Sequence, residues 1–274
     1  MRINIDKTEA LYLHNDFLES TQDTNILLAD DLKIFYEVIR VIDGKALFLN
    51  EHIDRLEQSL ILSNLKCFKK SETTKHVKKL LEANYVREKN LKINFFCDND
   101  GENLFAFFIE SHYPNQQAYK YGVKVELLPI ERHNPNVKLE NPTLRGSADK
   151  AICMSQTHEM LLVNSNGYIT EGSRSNFFAI FGDLLVTPPA QQVLEGITRK
   201  MVIRLAKENS IKFKERPIHS SEIYEMNGAF ITGTSTKVLP IAKIGNHEYN
   251  KIPSITSSLQ NLYDNLTTEN LQTQ

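Results

Sequence analysis

The sequence predicts an α+β chain in two parts, an α/β domain followed by a larger mixed α/β barrel-like domain. Three observations carry this. Apolar residues recur with strand and helix periods along most of the chain, strands outnumbering helices in both halves. The segment 111–117, SHYPNQQ, is polar, carries a proline and lacks periodicity, which marks a linker between residues 1–110 and 118–274. The 274 residues, 41% hydrophobic and 24% charged, are ordinary for a folded chain of one large or two modest domains.

Each element has its own signal. Residues 34–49, IFYEVIRVIDGKALFL, read as two apolar-rich strands around Asp43-Gly44, a pair that accepts the positive φ angles of a tight hairpin. Asn50 is placed to cap a helix over 51–64, with Ile53, Leu56 and Leu60 as its buried stripe. A second helix over 72–83 and strands over 91–97 and 104–110 follow. Beyond the linker come a strand at 123–130, a loop holding Lys138, a helix over 144–158 and a strand at 159–163 closed by a turn at 164–167. Strands near 176–180 and 183–187 precede a helix over 197–208, with Ile197, Met201, Leu205 and Ala206 on one side. A short strand at 229–232 ends in the loop TGTST. The chain finishes in an amphipathic helix carrying Leu259, Leu262 and Leu266.

Bulk properties exclude several classes. A net charge of −2 gives no reason to expect a nucleic acid or an anionic membrane as partner. No apolar run approaches the roughly 20 residues of a membrane span. The first residues, MRINIDKTEALYLHNDF, carry charges where an export signal needs an apolar core, so a cytoplasmic location is expected. Cys67, Cys97 and Cys153 show no CxxC spacing, which fits a reducing compartment without structural disulfide or zinc. The histidines, His52, His112 and His133 among them, form no HxxxH or HExxH pair, so no metal site is expected. Ser173 stands in no GxSxG, and no GxGxxG or Walker-type loop occurs.

The chemistry concentrates in 134–176. Lys138 offers an amine among Asn134, Pro135, Asn136 and Asn141; Lys150, in SADKA on a helix, competes for the same role. Glu171 offers a carboxylate at a strand edge. A lysine that forms a Schiff base and an acid that keeps a ring nitrogen protonated are what pyridoxal 5′-phosphate (PLP) requires of a protein. Such a lysine must be neutral to attack, so it needs burial beside cations or apolar groups. A phosphate needs amides at a helix start, a hydroxyl and a cation. Gly196-Ile197-Thr198-Arg199 opens a helix, Gly233-Thr234-Ser235 follows a strand, and Arg55 lies about one turn into its helix. Each suits an ordinary helix start, a polar turn or a surface arginine equally well when taken singly.

Taken in order, these pieces resemble the class IV aminotransferases, the fold-type IV PLP enzymes. The matching blocks are YEVIRVIDGKALFLNEHIDRLEQS (36–59), NPNVKLEN (134–141), LLVNSNGYITEGSRSNFF (161–178), VTPPAQQVLEGITRKMVI (186–203) and FITGTSTKVLPI (230–241). The resemblance implies two domains with the cofactor between them and a homodimer whose partner subunit completes the pocket. Lys138, in a KxxN pattern with Asn141 and at a family-like step from Glu171, matches the Schiff-base lysine that also shuttles the substrate proton. Glu171 matches the acid at the pyridine nitrogen. Arg55, in HxxRL from His52, matches the phosphate arginine; Ile197, Thr198, Gly233 and Thr234 match the rest of the phosphate set. Tyr36 matches an aromatic on the substrate side, and Arg40, shared with the branched-chain type, is expected to bind substrate with it. Thr143 stands where branched-chain enzymes usually have a tyrosine, Lys237 where an acid is common. Residues 92–105 lack the arginine that grips a carboxylate in D-amino-acid enzymes and lyases. The substrate carboxylate is then expected at the amides around Ser235, between Thr234 and Thr236. The implied reaction moves an amino group between an amino acid and a 2-oxo acid. The alternative within the family is an aminodeoxychorismate-lyase-type elimination of pyruvate, against which Tyr36-Glu37 and Gly172-Ser173-Arg174-Ser175 both speak.

Overall fold

The structure is a computed structural model and describes residues 3, 5–22, 24, 26–29, 32–65, 68–99 and 101–273. It divides into two compact units. The first holds residues 1–112, 137–140 and 267–274; the second holds 113–136 and 141–266.

A six-stranded antiparallel sheet builds the first unit. Its strands are β1 (Leu11–His14), β2 (Phe17–Ser20), β3 (Phe35–Ile42), β4 (Lys45–Ala46), β5 (Glu88–Asp98) and β6 (Gly101–Ile109), in the order β2-β1-β6-β5-β3-β4. Asp43 and Gly44 take φ of 47° and 76° at the β3–β4 turn, as the hairpin signal requires. Helices α1 (Leu49–Leu62) and α2 (Lys70–Ala83) follow in sequence. Period-two alternation sends Phe35, Ile39 and Val41 of β3, with Leu91, Ile93 and Phe95 of β5, into one core with Ile53, Leu56 and Leu60 of α1. Ile34, Phe96, Phe105 and Phe107 pack on the other face.

One expectation fails at the start of α1. The helix begins at Leu49, so Asn50 lies inside it, and the capping position is Phe48 in left-handed conformation at φ 53° with no side-chain cap. The Phe48 amide instead donates to the Asn270 side chain at 3.0 Å. Lys45 likewise donates to the Leu271 carbonyl at 2.5 Å. The end of the final helix therefore belongs to this unit, and the chain enters and leaves the second unit more than once.

Ten strands form a mixed sheet in the second unit. They are β7 (Val123–Leu128), β8 (Glu159–Val163), β9 (Tyr168–Gly172), β10 (Asn176–Phe181), β11 (Leu184–Thr187), β12 (Phe213–Glu215), β13 (Ile218–His219), β14 (Gly228–Gly233), β15 (Lys237–Ile244) and β16 (His247–Glu248). The path is β12-β11-β10-β14-β15-β7-β8-β9-β13, with β16 on β15. Parallel pairing at β15–β7 and β7–β8 sits among antiparallel neighbours. Helices α3 (Gln116–Tyr121), α4 (Pro142–Ser155), α5 (Ile197–Glu208) and α6 (Ser254–Gln272) complete it. Asn141 caps α4 by accepting from the Leu144 amide at 3.0 Å. On α6 the buried positions are Thr256, Leu259, Tyr263 and Thr267, whereas Leu262 and Leu266 are half-buried, so the stripe is rotated from the one the leucines suggest.

Candidate active site

The chemistry-bearing residues fall into one group in each unit. In the first, residues 137–140 run beside β3: Lys138 accepts at its carbonyl from the Tyr36 amide at 3.1 Å, and Leu139 bridges to Phe35. Ser59 of α1 accepts from the Lys138 amide at 3.2 Å. The Lys138 backbone is thus held on both sides, although the segment is too short to read as a strand. Its ammonium lies 4.4 Å from the Tyr36 ring centroid, and that of Lys92 lies 5.1 Å from the same centroid. Lys92 also pairs with Glu140. Sequence reading searched 92–105 for an arginine and passed over this lysine. Lys150, the competing amine, is exposed on α4 and meets the ordinary solvated reading.

Glu37 sits on the face of β3 that α1 covers, since it alternates with the core residues Phe35 and Ile39. It is fully buried, and its carboxylate accepts from Arg55 Nε at 2.8 Å, Arg55 Nη2 at 2.6 Å and His52 Nδ1 at 2.7 Å. Burial alone would raise the Glu37 pKa, but the Arg55 charge, with hydrogen bonds from Arg55 and His52, outweighs it and holds the pKa down to about 2. Burial lowers the His52 pKa, opposed by Glu37 and reinforced by the Arg55 and Lys138 charges, so His52 stays neutral. Both folded-state values lie below the ordinary ones. Stability from each group is therefore present above its ordinary pKa and lost as pH falls towards the folded value. The melting temperature is expected to hold at neutral pH, to decline below about 6.5, where unfolded His52 takes up a proton, and to fall further below about 4.5, where unfolded Glu37 does. Thermal unfolding scans of wild type and His52→Gln across this range check it. A curve with the same slope near pH 6 in both proteins would contradict the assignment.

Arg40 lies on the opposite face of β3, with its guanidinium on Glu88 (Nε to Oε1, 3.1 Å). A strand rises about 3.3 Å per residue, so Tyr36 and Arg40 are about 13 Å apart along it.

In the second unit, Glu171 is inside β9 and buried. Arg132 Nε donates to its Oε1 at 2.6 Å; the Leu194 amide donates to Oε2 at 3.2 Å and Asn176 Nδ2 at 3.5 Å. Asn176 also donates to the Leu194 carbonyl at 2.7 Å. The carboxylate therefore has one fixed orientation and a cation beside it. Arg132 was not found from the sequence, because a charged run, Glu131-Arg132-His133, carries no periodic signal and reads as solvated loop.

The loop after Glu171 is tied down by another missed residue. Glu159, buried at the start of β8, accepts from the Ser173 hydroxyl at 2.6 Å, the Ser175 hydroxyl at 3.0 Å, the Met160 amide at 2.8 Å and the Arg174 amide at 3.1 Å. Arg145 of α4 holds the Ser173 carbonyl at 2.7 Å from the other side.

The two anion-type features are also here. Gly196 precedes α5, and a Cβ there would lie 2.0 Å from Asn176 Oδ1, so a larger residue would displace the Asn176 side chain. The first amides of α5, at Ile197 and Thr198, have no intrahelical acceptor and carry the positive end of the helix dipole. Thr198 Oγ1 lies 3.4 Å from the Tyr263 hydroxyl. Arg199 is not the cation of this feature: it is buried and donates to the Pro188 carbonyl at 3.0 Å, with Glu215 at 3.3 Å. The turn Thr234–Thr236 joins β14 to β15, with Lys237 at φ 50° and paired to Asp264 at 2.7 Å. A Cβ on Gly233 would lie 2.9 Å from Thr236 Oγ1, a buried hydroxyl with no hydrogen-bond partner in the structure. An unsatisfied buried hydroxyl beside a turn of amides suits an anionic oxygen. The second unit's fixed acid and anion-binding amides thus suit a phosphorylated cofactor, and the first unit offers an amine at Lys138.

Cys97 and Cys153 are exposed free thiols, while Cys67 lies outside the described residues. Among the described residues, no cluster of histidine, cysteine and carboxylate side chains could hold a metal ion, and no helix is long and apolar enough to cross a membrane. Thr143 is exposed on α4.

Comparison with known proteins gives the family and the fold. The sequence model of the amino-transferase class IV family matches residues 34–244, so the chain belongs to that family and is a class IV transaminase. The branched-chain-amino-acid aminotransferase of Pseudomonas aeruginosa is 26% identical over 254 residues, covering 84% of this chain and 83% of that protein. A crystal structure described as a putative branched-chain amino acid aminotransferase from Thermotoga maritima superposes with a TM-score of 0.81 at 26% identity, over 94% of this chain and 96% of that one. The branched-chain amino acid aminotransferase from Thermobaculum terrenum in its PLP form has a TM-score of 0.84 at 23% identity, over 97% and 96%, and shares the fold. The chain therefore has the fold-type IV architecture that its motifs implied.

Proposed function

We propose that this transaminase uses PLP carried on Lys138 and moves the amino group of an apolar, branched-chain-type amino acid to a 2-oxo acid. The observation that carries the reading is the seat of Lys138. Its backbone is fixed by β3 and Ser59, and its amine lies against Tyr36 with a second ammonium, Lys92, at the same ring. An amine on a fixed backbone seat is what covalent chemistry at one position needs. The names of the two relatives that are 26% identical support the substrate class.

When bound, PLP supplies an electrophilic carbon and a ring that accepts electrons. The chain's residues do the rest. Glu171, fixed by Arg132, sets the charge at the ring nitrogen. Arg55, the first amides of α5 at Ile197 and Thr198, and Gly233 and Thr234 bind the phosphate. Lys138 takes the proton from the substrate α-carbon and returns it on the other side of the transfer, as a general base then acid. Tyr36, Arg40 and the amides around Ser235 orient the substrate, and Glu88 holds the Arg40 guanidinium. Family resemblance extends the reading to a homodimer.

The test is an absorption titration of the PLP-loaded protein with L- and D-amino acids, paired with a 2-oxo-acid-dependent turnover assay. Bleaching of the violet-region band by L-leucine, L-isoleucine or L-valine, restored by a 2-oxo acid, is the expected result. Bleaching by D-amino acids alone would overturn the substrate class. Release of pyruvate without any acceptor would favour the lyase reaction instead.

A further inference from the structure

Glu37 has no place in the phosphate set or in the proton transfer, yet it is among the most buried charged groups of the first unit. A buried carboxylate is retained at a cost unless its partners need it. Its partners here are specific. One oxygen, Oε1, accepts from Arg55 Nε; the other, Oε2, accepts from Arg55 Nη2 and from His52 Nδ1. The carboxylate takes one whole edge of the guanidinium in the two-point geometry that fixes a planar fork. His52, one turn before Arg55 on α1 and itself buried, fixes the carboxylate in turn.

We infer that Glu37 is the positioning residue for Arg55, holding its guanidinium by the Nε–Nη2 edge and so fixing the orientation in which it meets the cofactor phosphate, with His52 locking Glu37 in place. The inference rests on the reading of Arg55 as the phosphate cation. It has a competitor with the opposite sign. Glu37 is negative, so by Coulomb repulsion alone its removal would tighten phosphate binding. Orientation opposes this: an arginine freed from its clamp regains rotamer freedom, which it must lose again on binding. Full burial of the carboxylate, with every oxygen engaged, favours orientation as the stronger effect.

The experiment is calorimetric titration of the apo protein with PLP and with pyridoxal, which has the same ring and aldehyde but no phosphate. The ratio of the pyridoxal to the PLP dissociation constant isolates the phosphate. Arg55→Ala is expected to lower that ratio most. Glu37→Gln is expected to lower it roughly tenfold, the scale of one well-placed charge-assisted contact, with pyridoxal affinity changed little. In an Arg55→Ala background, Glu37→Gln is expected to change nothing further, because its effect runs through Arg55. Glu37→Asp serves if the glutamine variant does not fold, since it keeps the charge but is too short to span both nitrogens, and it is expected to lower the ratio as well. An unchanged or raised ratio in the Glu37 variants, or equal weakening of PLP and pyridoxal, overturns the inference while leaving Arg55 in place. An unchanged ratio in Arg55→Ala overturns the phosphate reading itself, and Glu37's role with it.

Discussion

Lys138→Ala is expected to keep its fold and its noncovalent hold on PLP but to lose transamination by about 10³-fold or more, since it removes both the covalent attachment and the general base. Neither Lys92 nor Lys150 is expected to substitute. Lys92 has its ammonium near the same ring, 5.1 Å from the centroid, but it is paired with Glu140 on a different strand of the sheet. Lys150 is solvated on α4. Borohydride reduction of the loaded wild type followed by peptide mass spectrometry makes the assignment direct. The cofactor mass is expected on the peptide containing Lys138. Finding it on Lys92 or Lys150, or measuring near-normal turnover in Lys138→Ala, would sink the catalytic assignment.

What the sequence revealed and what it hid follow one division. Local signals were legible. Asp43-Gly44 announced its hairpin because the turn demands positive φ, and the Ile197–Glu208 helix was bounded correctly because its apolar period is unbroken. Elements without a clean signal of their own were not read: β1, β2, β9, β12, β13, β16, the central β15 and the six-residue α3, which starts in the last two residues of the expected linker. The Asn50 cap failed because a left-handed Phe48 and a side chain from the far end of the chain fix that helix start. The residues proposed to touch the cofactor were legible only because they sit in recognisable motifs. Their supports were not. Glu37 in an apolar strand, Glu159 at a strand start and Arg132 in a charged loop all look solvated in one dimension. Only tertiary pairing shows that each is buried or half-buried against a specific partner.

Glu159 is where that hidden layer is expected to matter most for stability. Glu159→Ala removes the acceptor of two hydroxyls and two amides at a site that water does not reach. Leaving several buried donors unpaired and opening a small cavity costs about 3–5 kcal/mol. In a chain of this size that corresponds to a fall in melting temperature of about 10 °C. Glu159→Gln keeps the shape but turns an NH₂ towards donors, so it is expected to cost less than the alanine and more than nothing. The damage should not stop at stability. Ser173, released from Glu159, carries the carbonyl that Arg145 and Arg132 hold, and Arg132 is the cation that fixes Glu171. PLP affinity is therefore expected to weaken in the folded variant too, because Glu171, the acid proposed for the ring nitrogen, loses its fixed orientation. Differential scanning calorimetry and PLP titration below the transition read the two effects separately. A melting temperature within about 2 °C of wild type would mean that the loop is held by its strands and by Arg145 alone, and that Glu159 is dispensable.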